Sequence, residues 1–429
     1  MDTGTPTNGD TEPARGRRER RAGAFPGPYK VVQLAATCVA FATAAAHELL
    51  TLRGGTAPDS SVHGGHAAEA FRSERYTRVV GEDPKPLWSP LSGDYQASDG
   101  WVRLHANYPH HAAAIRRALG DDPRPEVARR TAVEVEELVL AEGGAAAALR
   151  TREDWLTNGP GAVIREEPLV AIEKIGDAPP KPFSPANIPL AGVRVLELTH
   201  VLAGPVCGRV LAAHGADVLH VTPPDWPVLV DLLRDTDFGK RQCVTGLGAE
   251  LSALAAGTDV FVQSFRPGSL ARKGFGAEDL AGRNPGIIVV SLSAYGHTGP
   301  WRERRGFDSL VQMSSGIAAH GGLDKPRPLP AQALDHGTGW LAAQAVMTTL
   351  YRRAIEGGSW HIRLSLARTA ESLHDIGRAP DGEVFEVDPT PFLTETDSDF
   401  GRLTHIRVPN ASVELAGPRK PGRDLATWW

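Results

Sequence analysis

Short apolar runs alternate with helical patterns between residues 189 and 300. The runs have the length of strands and are VRVLELTH, ADVLHVT, QCVTGL, DVFVQSF and GIIVVSLSAYG, with segments such as GPVCGRVLAAHG and AELSALAAG between them. This alternation is typical of a parallel sheet that is covered by helices on both faces. The pattern therefore predicts an α/β fold, with a Rossmann-like, doubly wound parallel sheet over residues 189–370.

The pattern changes on both sides of this domain. Residues 29–175 combine short strands with helical periodicity, as in DGWVRLHANYPHHAAAIRRALG, and predict a smaller α/β domain. A proline-rich linker is expected over residues 176–188, because GDAPPKPFSPANIPLAG contains five prolines in seventeen residues. Residues 1–28 lack apolar periodicity and predict a disordered tail. Residues 371–429 are expected to form an extended C-terminal tail that wraps the body.

One segment, VVQLAATCVAFATAAAHELL, is apolar enough to be considered as a membrane span. It is rich in alanine and threonine, and it is interrupted by Gln33, His47 and Glu48, which are unfavourable inside a bilayer. We therefore interpret it as a buried helix, and we expect a cytoplasmic protein without a membrane partner.

The charge of the chain does not point to a polyanion. It carries 46 basic and 51 acidic residues, so its net charge of -5 does not favour nucleic acid as the main partner. The three cysteines, Cys38, Cys207 and Cys243, are too few and too scattered for a disulfide framework. Without a C-x-x-C pair or an HExxH motif we expect no metal site, and a reducing cytoplasm fits this composition.

Ligands of doubly wound sheets bind beyond the carboxyl ends of the strands. The corresponding positions are His200 to Pro205, Thr222, Ser264 to Gly268 and Ser293 to Gly299, and all of them are small, polar or rich in glycine and proline. The first loop lacks the G-x-G-x-x-G of nicotinamide and flavin enzymes. A standard dinucleotide site is therefore disfavoured.

Six motifs in this region resemble, in their order and spacing, those of family III CoA-transferases, the CaiB/BaiF group. They are PLAGVRVLELTHVLAGPVCGRVLAAHGADVLHV, GKRQ, TDVFVQSFRPGSLARKGFG, PGIIVVSLSAYGHTGPW, RRGFDSLVQMSSGIA and LPAQALDHGTGW. The resemblance covers residues 187 to 370. It implies transfer of CoA from an acyl-CoA thioester to a carboxylic acid, with coenzyme A as a substrate, no cofactor and no metal. It also implies a homodimer.

The same resemblance implies that Asp335 is the catalytic nucleophile, since Asp335 and Gly339 match the family's D-x-x-x-G context. A carboxylate can attack an acyl-CoA carbonyl and then form an aspartyl-CoA thioester. We expect the helix start to keep Asp335 ionised, and Gly337 and Gly339 to let the backbone approach the acyl group. Without the motifs, an aspartate before a helix is more often a plain N-cap.

For CoA, the resemblance implies binding at the carboxyl ends of the first strands. The residues concerned are His200, Val201, Leu202, Ala203, Ser264, Phe265, Arg266, Arg272, Ser293 and Tyr295. Lys240 and Arg241 in GKRQ are expected to bind the nucleotide phosphates, because basic side chains pair with phosphate. The alternative for these two residues is a solvated basic loop.

Two features depart from the family pattern. Racemases of the same fold, which act on α-methylacyl-CoA esters, carry a histidine base in a G-H-D motif, and Phe307 replaces it here in GFD. This favours transfer, but a racemase-like enzyme stays an alternative because Asp308, His336 or His297 could act as the base. The segment that resembles the small domain precedes the sheet domain, which indicates a permuted order or a duplicated remnant. A degenerate paralogue that binds CoA esters without turnover is a third hypothesis.

Overall fold

The computed structural model describes residues 24–83, 86–379 and 384–428. Its helices, numbered in chain order, are α1 Val31–Leu52, α2 Gly64–Ala70, α3 Pro109–Leu119, α4 Arg124–Ala128, α5 Ala132–Ala141, α6 Arg152–Thr157, α7 Gly161–Glu166, α8 Ala203–Ala213, α9 Val230–Thr236, α10 Ala249–Ala256, α11 Ala277–Arg283, α12 Asp308–Ser314, α13 Ala333–Glu356 and α14 Leu366–Ile376. Its strands are β1 Ala24–Phe25, β2 Arg78–Val79, β3 Gly93–Gln96, β4 Trp101–Leu104, β5 Ala146–Ala148, β6 Ala171–Gly176, β7 Arg194–Leu198, β8 Asp217–Thr222, β9 Lys240–Val244, β10 Val260–Gln263, β11 Ile288–Ser293, β12 Ser359–Ser365, β13 Phe385–Glu386, β14 Leu393–Ser398 and β15 Gly401–Ile406.

A seven-stranded sheet organises the main domain, in the order β6-β12-β11-β10-β7-β8-β9. All neighbouring strands run parallel except the β6 and β12 pair, which is antiparallel. The central strands are apolar on both faces, since Val195 packs into one core and Leu196 into another. This confirms the predicted α/β fold with a mainly parallel sheet, because burial on both faces is what produces continuous apolar strands.

Helices α8, α13 and α1 form the core on one face of the sheet, while α10 and α11 cover the other face. Helix α1 is long and apolar enough to cross a membrane by length and composition, and 56% of its most apolar window is buried inside the protein. It packs along α13, as the interpretation of a buried helix requires. Its packing partner therefore lies in the sheet domain and not in the small domain.

A second, smaller unit lies between β3 and β5. Strands β3, β4 and β5 form an antiparallel sheet, and α3, α4 and α5 pack on it around Val102, Ile115 and Val135. This unit spans residues 93–148 and is shorter than the expected domain of residues 29–175. The difference arises because α1 and β6, at the two ends of that range, are apolar elements that complete the core and the edge of the large sheet.

The C-terminal residues wrap the body in an extended form, although α14 continues to Ile376 and a hairpin of β14 and β15 pairs with β2. Residues 407–428 then follow the free edge of β9. The backbone N–H of Asp424 donates to the Gln242 carbonyl and the Asp424 carboxylate accepts from the Gln242 N–H, both at 2.8 Å. Such cover protects an edge strand from pairing with other chains. The predicted disordered tail of residues 1–28 lies mostly outside the described residues, and its last part forms β1.

Helices α8 and α13 cross at Gly339. A Cβ at this position would lie 2.5 Å from the Ala203 carbonyl oxygen and 2.8 Å from the Val206 Cβ. Gly337 meets a different neighbour, since its Cβ would lie 3.1 Å from the Thr369 side chain. Both glycines therefore allow close packing of helices, and this replaces their expected role of approaching the acyl group.

We predict that Gly339→Ala lowers the free energy of unfolding by about 1–3 kcal/mol, because the new methyl group overpacks the crossing of α8 and α13. The urea unfolding midpoint measures this change. Gly282→Ala in α11 is the control, because nothing lies within 4 Å of its Cβ. The control should be neutral or stabilising by up to about 1 kcal/mol. Equal stability of the two variants would contradict the close crossing.

Candidate active site

A cavity of about 460 Å³ lies beyond the carboxyl ends of β7, β10 and β11. It brings together most of the residues predicted for the site, namely His200, Val201, Ala203, Ser264, Phe265, Arg266, Ser293 and Asp335. The small domain supplies another wall through Tyr108, His110 and His111. The sheet domain and the small domain therefore share one cavity.

Asp335 lies in the first turn of α13 and is only 5% exposed. It is not the N-cap, which is Gln332. Instead, the carboxylate of Asp308 accepts the backbone N–H groups of Leu334 at 2.8 Å and of Asp335 at 3.0 Å. Asp308 thus satisfies the free N–H groups of this helix start, and the Asp335 carboxylate is left for another role.

The electrostatic surroundings of Asp335 oppose its charge. Burial raises its pKa well above the usual range, and the carboxylates of Asp308 and Glu74 raise it further, while the backbone N–H of Ala203 acts in the opposite direction. Burial also raises the pKa of Asp308 to about 6. The expectation that the helix start keeps Asp335 ionised is therefore wrong for this structure, because Asp308 takes the N–H groups of α13 and adds its own negative charge.

The start of α8 supplies an N–H group that favours the charged form of Asp335, although burial and the neighbouring carboxylates outweigh it. Ala203 and Gly204 form the first turn of α8 and line the cavity, and the N-cap Leu202 makes no side-chain hydrogen bond to this turn. Free N–H groups and the positive end of the helix dipole therefore face the Asp335 side of the cavity. The preceding residue, Val201, has a φ of 72°, which is a strained conformation for a β-branched side chain.

A buried charge cluster lies under this loop. The ammonium of Lys240 is 2.8 Å from a Glu197 carboxylate oxygen and 3.1 Å from one of Asp237, and it donates to the Pro205 carbonyl at 2.9 Å. Lys240 is fully buried, so the prediction that it binds phosphate is wrong. The reason is that GKRQ continues as strand β9, which points Lys240 inward beneath α8.

His220 completes the cluster. Its Nδ1 lies 2.8 Å from the Asp237 carboxylate and its Nε2 lies 3.1 Å from the Thr199 carbonyl, so both ring nitrogens face acceptors. Burial disfavours the charged ring, but the charges of Asp237 and Glu197 outweigh it and raise the pKa of His220. Lys240 and the His220 ring thus face the two carboxylates under the loop from Thr199 to Pro205.

The cluster also has the composition of a metal site. Ligand atoms of Glu197, His220 and Asp237 lie within 4.8 Å of one another. The ammonium of Lys240 contacts two of these carboxylates and provides the positive charge that a metal ion would supply.

Four further predicted residues do not line the cavity. Arg241 pairs through two nitrogens with Asp217, at 2.9 Å each, because it points to the opposite side of β9 from Lys240. Tyr295 is buried and its hydroxyl lies 3.1 Å from that of Ser314. Leu202 is buried under the loop, and Arg272 is exposed beside Gly268. The carboxyl-end rule identifies loops that line this cavity, but it does not specify which side chains in each loop face the cavity.

Two groups of lining residues were not expected from the sequence. Trp226 stacks on His200 with ring centroids 4.8 Å apart and contacts Phe265 at 5.5 Å. Trp226 lies in a loop of prolines and apolar residues that has neither helical nor strand periodicity. Arg305 and the histidines of YPHH line the other side. Two adjacent histidines at the start of a predicted helix were a usable signal, but their position relative to Asp335 depends on contacts between domains.

We predict that the protein loses stability as the pH rises from about 6.5 through the raised pKa of His220. The pKa of His220 is raised in the folded state, so its contribution is fully present below its unfolded pKa of about 6.5 and is lost as the pH rises through the folded value. Urea unfolding midpoints across this range measure the loss. His220→Gln should flatten the curve, and an equal slope in both proteins would exclude His220 as its source.

Comparison with known proteins places residues 190–242 and 248–376 under the family described as CoA-transferase family III. A probable fatty acyl-CoA transferase Rv3272 of Mycobacterium tuberculosis is 33% identical over 214 residues, which cover 45% of this chain and 54% of that protein. A formyl-CoA:oxalate CoA-transferase of Rhodopseudomonas palustris strain TIE-1 is 38% identical over 256 residues, covering 55% and 59%. The chain thus spans little more than half of these curated relatives.

Solved structures give a similar coverage. The crystal structure of Rv3272 in its orthorhombic form matches with a TM-score of 0.41 and 31% identity, over 44% of this chain and 58% of that one. A CAIB/BAIF family protein from Brucella suis matches with a TM-score of 0.40 and 26% identity, over 51% and 65%.

Proposed function

We propose that this chain, whose residues 190–242 and 248–376 match CoA-transferase family III, transfers CoA from an acyl-CoA thioester to a carboxylic acid, with Asp335 as the nucleophile. The observation that carries this proposal is the position of Asp335. It is a buried carboxylate that lines the cavity at the start of α8 and whose own helix start is already capped by Asp308. The expected homodimer and cytoplasmic location stay predictions.

The cavity offers different surroundings for the two ends of an acyl-CoA. The rings of His200, Trp226 and Phe265 form an aromatic cluster that suits the adenine base. Arg266 and Lys273 are exposed cations on the same side and suit the phosphates. The pantetheine arm then runs past Val201 and Ala203 and brings the thioester to Asp335.

The proposed reaction uses only the Asp335 carboxylate, the acyl-CoA thioester and the acceptor carboxylate. The Asp335 carboxylate bonds to the acyl carbon, the carbon–sulfur bond breaks and the electron pair leaves with the CoA thiolate. The thiolate attacks the Asp335 carbonyl of this mixed anhydride, and the first carboxylic acid leaves as its carboxylate. An aspartyl-CoA thioester remains, and an acceptor carboxylate reverses both steps to give the new acyl-CoA and free Asp335.

Two electrostatic features support these steps. The raised pKa of Asp335 makes the ionised carboxylate a stronger nucleophile than an ordinary aspartate, once it has lost its proton. The N–H groups at the start of α8 face the place where negative charge develops on the attacked carbonyl. Fixed dipoles of this kind stabilise the oxyanion more than water does in a buried site.

We predict that Asp335→Asn abolishes formation of the aspartyl-CoA adduct, since an amide cannot attack the thioester. Intact-protein mass spectrometry after incubation with a panel of acyl-CoA thioesters measures the adduct on the native chain. Asp121→Asn is the matched control, because the Asp121 side chain is 98% exposed. Full CoA transfer by the Asp335→Asn variant would contradict the proposal.

A second prediction concerns the pH dependence of adduct formation. The rate should rise with pH through the raised pKa of Asp335, because only the deprotonated carboxylate attacks. Asp308→Asn removes one neighbouring negative charge and keeps an oxygen that can accept the N–H groups of α13. The rise should therefore move to lower pH in this variant. A rapid-mixing measurement of adduct formation tests this, and unchanged profiles would mean that Asp308 does not influence Asp335.

Further observations distinguish CoA transfer from a racemase-like activity and from a degenerate paralogue. Phe307 stacks on His105 with ring centroids 3.7 Å apart and cannot remove a proton. Incorporation of solvent deuterium at the α-carbon of an acyl-CoA, without any acceptor acid, would indicate a racemase-like activity. Tight acyl-CoA binding without an adduct or exchange would indicate the degenerate paralogue.

A further inference from the structure

An unassigned cluster of donors lines the cavity that also contains the aromatic cluster of His200, Trp226 and Phe265, and it combines His110 and His111 of the small domain with Arg305 of the loop before α12. We propose that Arg305, His110 and His111 form the binding site for the carboxylate group of the acceptor acid. This rests on the proposed function and adds the residues that recognise the second substrate. All three residues line the cavity that contains Asp335.

Arg305 is the uncompensated charge of this cluster. The neighbouring Arg304 lies 2.6 Å from Glu136 and is stacked on Trp301 at 3.9 Å, so its charge is already paired. Within the part of the chain that the structure describes, no carboxylate pairs with Arg305. Burial lowers the pKa of Arg305, and the charge of Arg266 lowers it further. A half-buried guanidinium next to another cation is stabilised when an anion binds it.

His111 provides the second, independent observation. It is only 3% exposed, it lines the cavity, and its Nδ1 has no hydrogen-bond partner among the described residues. Its ring lies 4.2 Å from that of His110, centroid to centroid. Burial lowers the pKa of His111 to about 3 and also lowers that of His110. Both rings are therefore neutral at pH 7, and each has one N–H to donate to a carboxylate.

The contacts of His111 connect this cluster to the nucleophile, whereas Arg305 also neighbours Arg266 on the side that suits the CoA phosphates. The ring of His111 lies 5.6 Å from that of Phe307, and Phe307 immediately precedes Asp308. The Asp308 carboxylate in turn accepts the Asp335 N–H at 3.0 Å. A carboxylate bound by these rings would therefore lie beside the segment that runs through Phe307 and Asp308 to Asp335. There it can replace the first acid when that acid has left.

The test is isothermal titration of the full chain with succinate and with butyrate as carboxylate probes. Arg305→Gln should weaken carboxylate binding by about tenfold to a hundredfold, as expected for loss of a charge-assisted hydrogen bond. Arg305→Lys should lose less, because it keeps the charge without the two-pronged geometry. Arg352→Gln on the outer face of α13 is the control and should bind as the native protein does. Carboxylate binding that is unchanged in Arg305→Gln would overturn the proposal.

A second arm separates carboxylate from phosphate. CoA and dephospho-CoA, which lacks the 3′-phosphate, are titrated against the native protein and Arg305→Gln. The proposal requires that the substitution leave both affinities within about twofold, whereas a selective loss for CoA would assign Arg305 to the phosphate and overturn it. Because these are binding measurements, they do not depend on turnover. Failure of Asp335 to form an adduct would contradict the proposed function alone.

His111→Asn replaces a neutral ring with a neutral amide, so it tests the role of His111 without changing the charge of the site. It should weaken succinate binding and raise the KM for the acceptor, but leave the KM for acyl-CoA and the rate of adduct formation unchanged. A merely structural effect would change all four quantities together. Unfolding midpoints of the same samples show whether the variant is folded, and an equal effect on donor and acceptor in a folded variant would overturn the assignment.

Discussion

The buried ammonium of Lys240 connects strands β7 and β9 to the loop from Thr199 to Pro205, and the rest of the site depends on this connection. A single cation contacts carboxylates from β7 and from the turn before β9, and it also donates to the first turn of α8. An unpaired charge at this depth would cost several kcal/mol, so each member of the cluster requires the others. The strained backbone at Val201 is stable because both ends of its loop are held in this way.

The site itself concentrates like charges. Asp335, Asp308 and Glu74 lie together in a buried region, with His336 bonded to Glu74 at 3.0 Å. Such an arrangement destabilises the resting protein, and the close packing of α1, α8 and α13 has to compensate for it. Under the proposed function, a carboxylate that is poorly solvated in the free protein is more reactive towards a thioester, so the same three acidic groups would set both the stability of the protein and the reactivity of Asp335.

The sequence predicted the features that are local or that follow from burial on both faces of a sheet. The parallel strands, their alternation with helices and the loops at their carboxyl ends all belong to this class, as does the position of Asp335 in a first helical turn. It did not predict that Asp308 caps the helix of Asp335, because the two residues are 27 positions apart in the chain. The sequence also predicted a wrong position for Lys240, since the residues GKRQ are compatible with an exposed loop and with a buried strand. The position of His110 and His111 in the cavity was not predicted, because it depends on how the small domain packs on the sheet domain.

The C-terminal strap over β9 affects how the chain reaches this structure. Several contacts join distant parts of the sequence, since β1 pairs with β13 and β2 with β15, and the edge of β9 is covered by Asp424 and Thr427. Folds rich in such contacts form slowly, because the entropy of closing long loops is lost before the contacts are gained. During synthesis, the edge of β9 stays open until the residues near position 424 have left the ribosome. For that period the nascent chain exposes an unpaired strand edge, which is open to pairing with other chains.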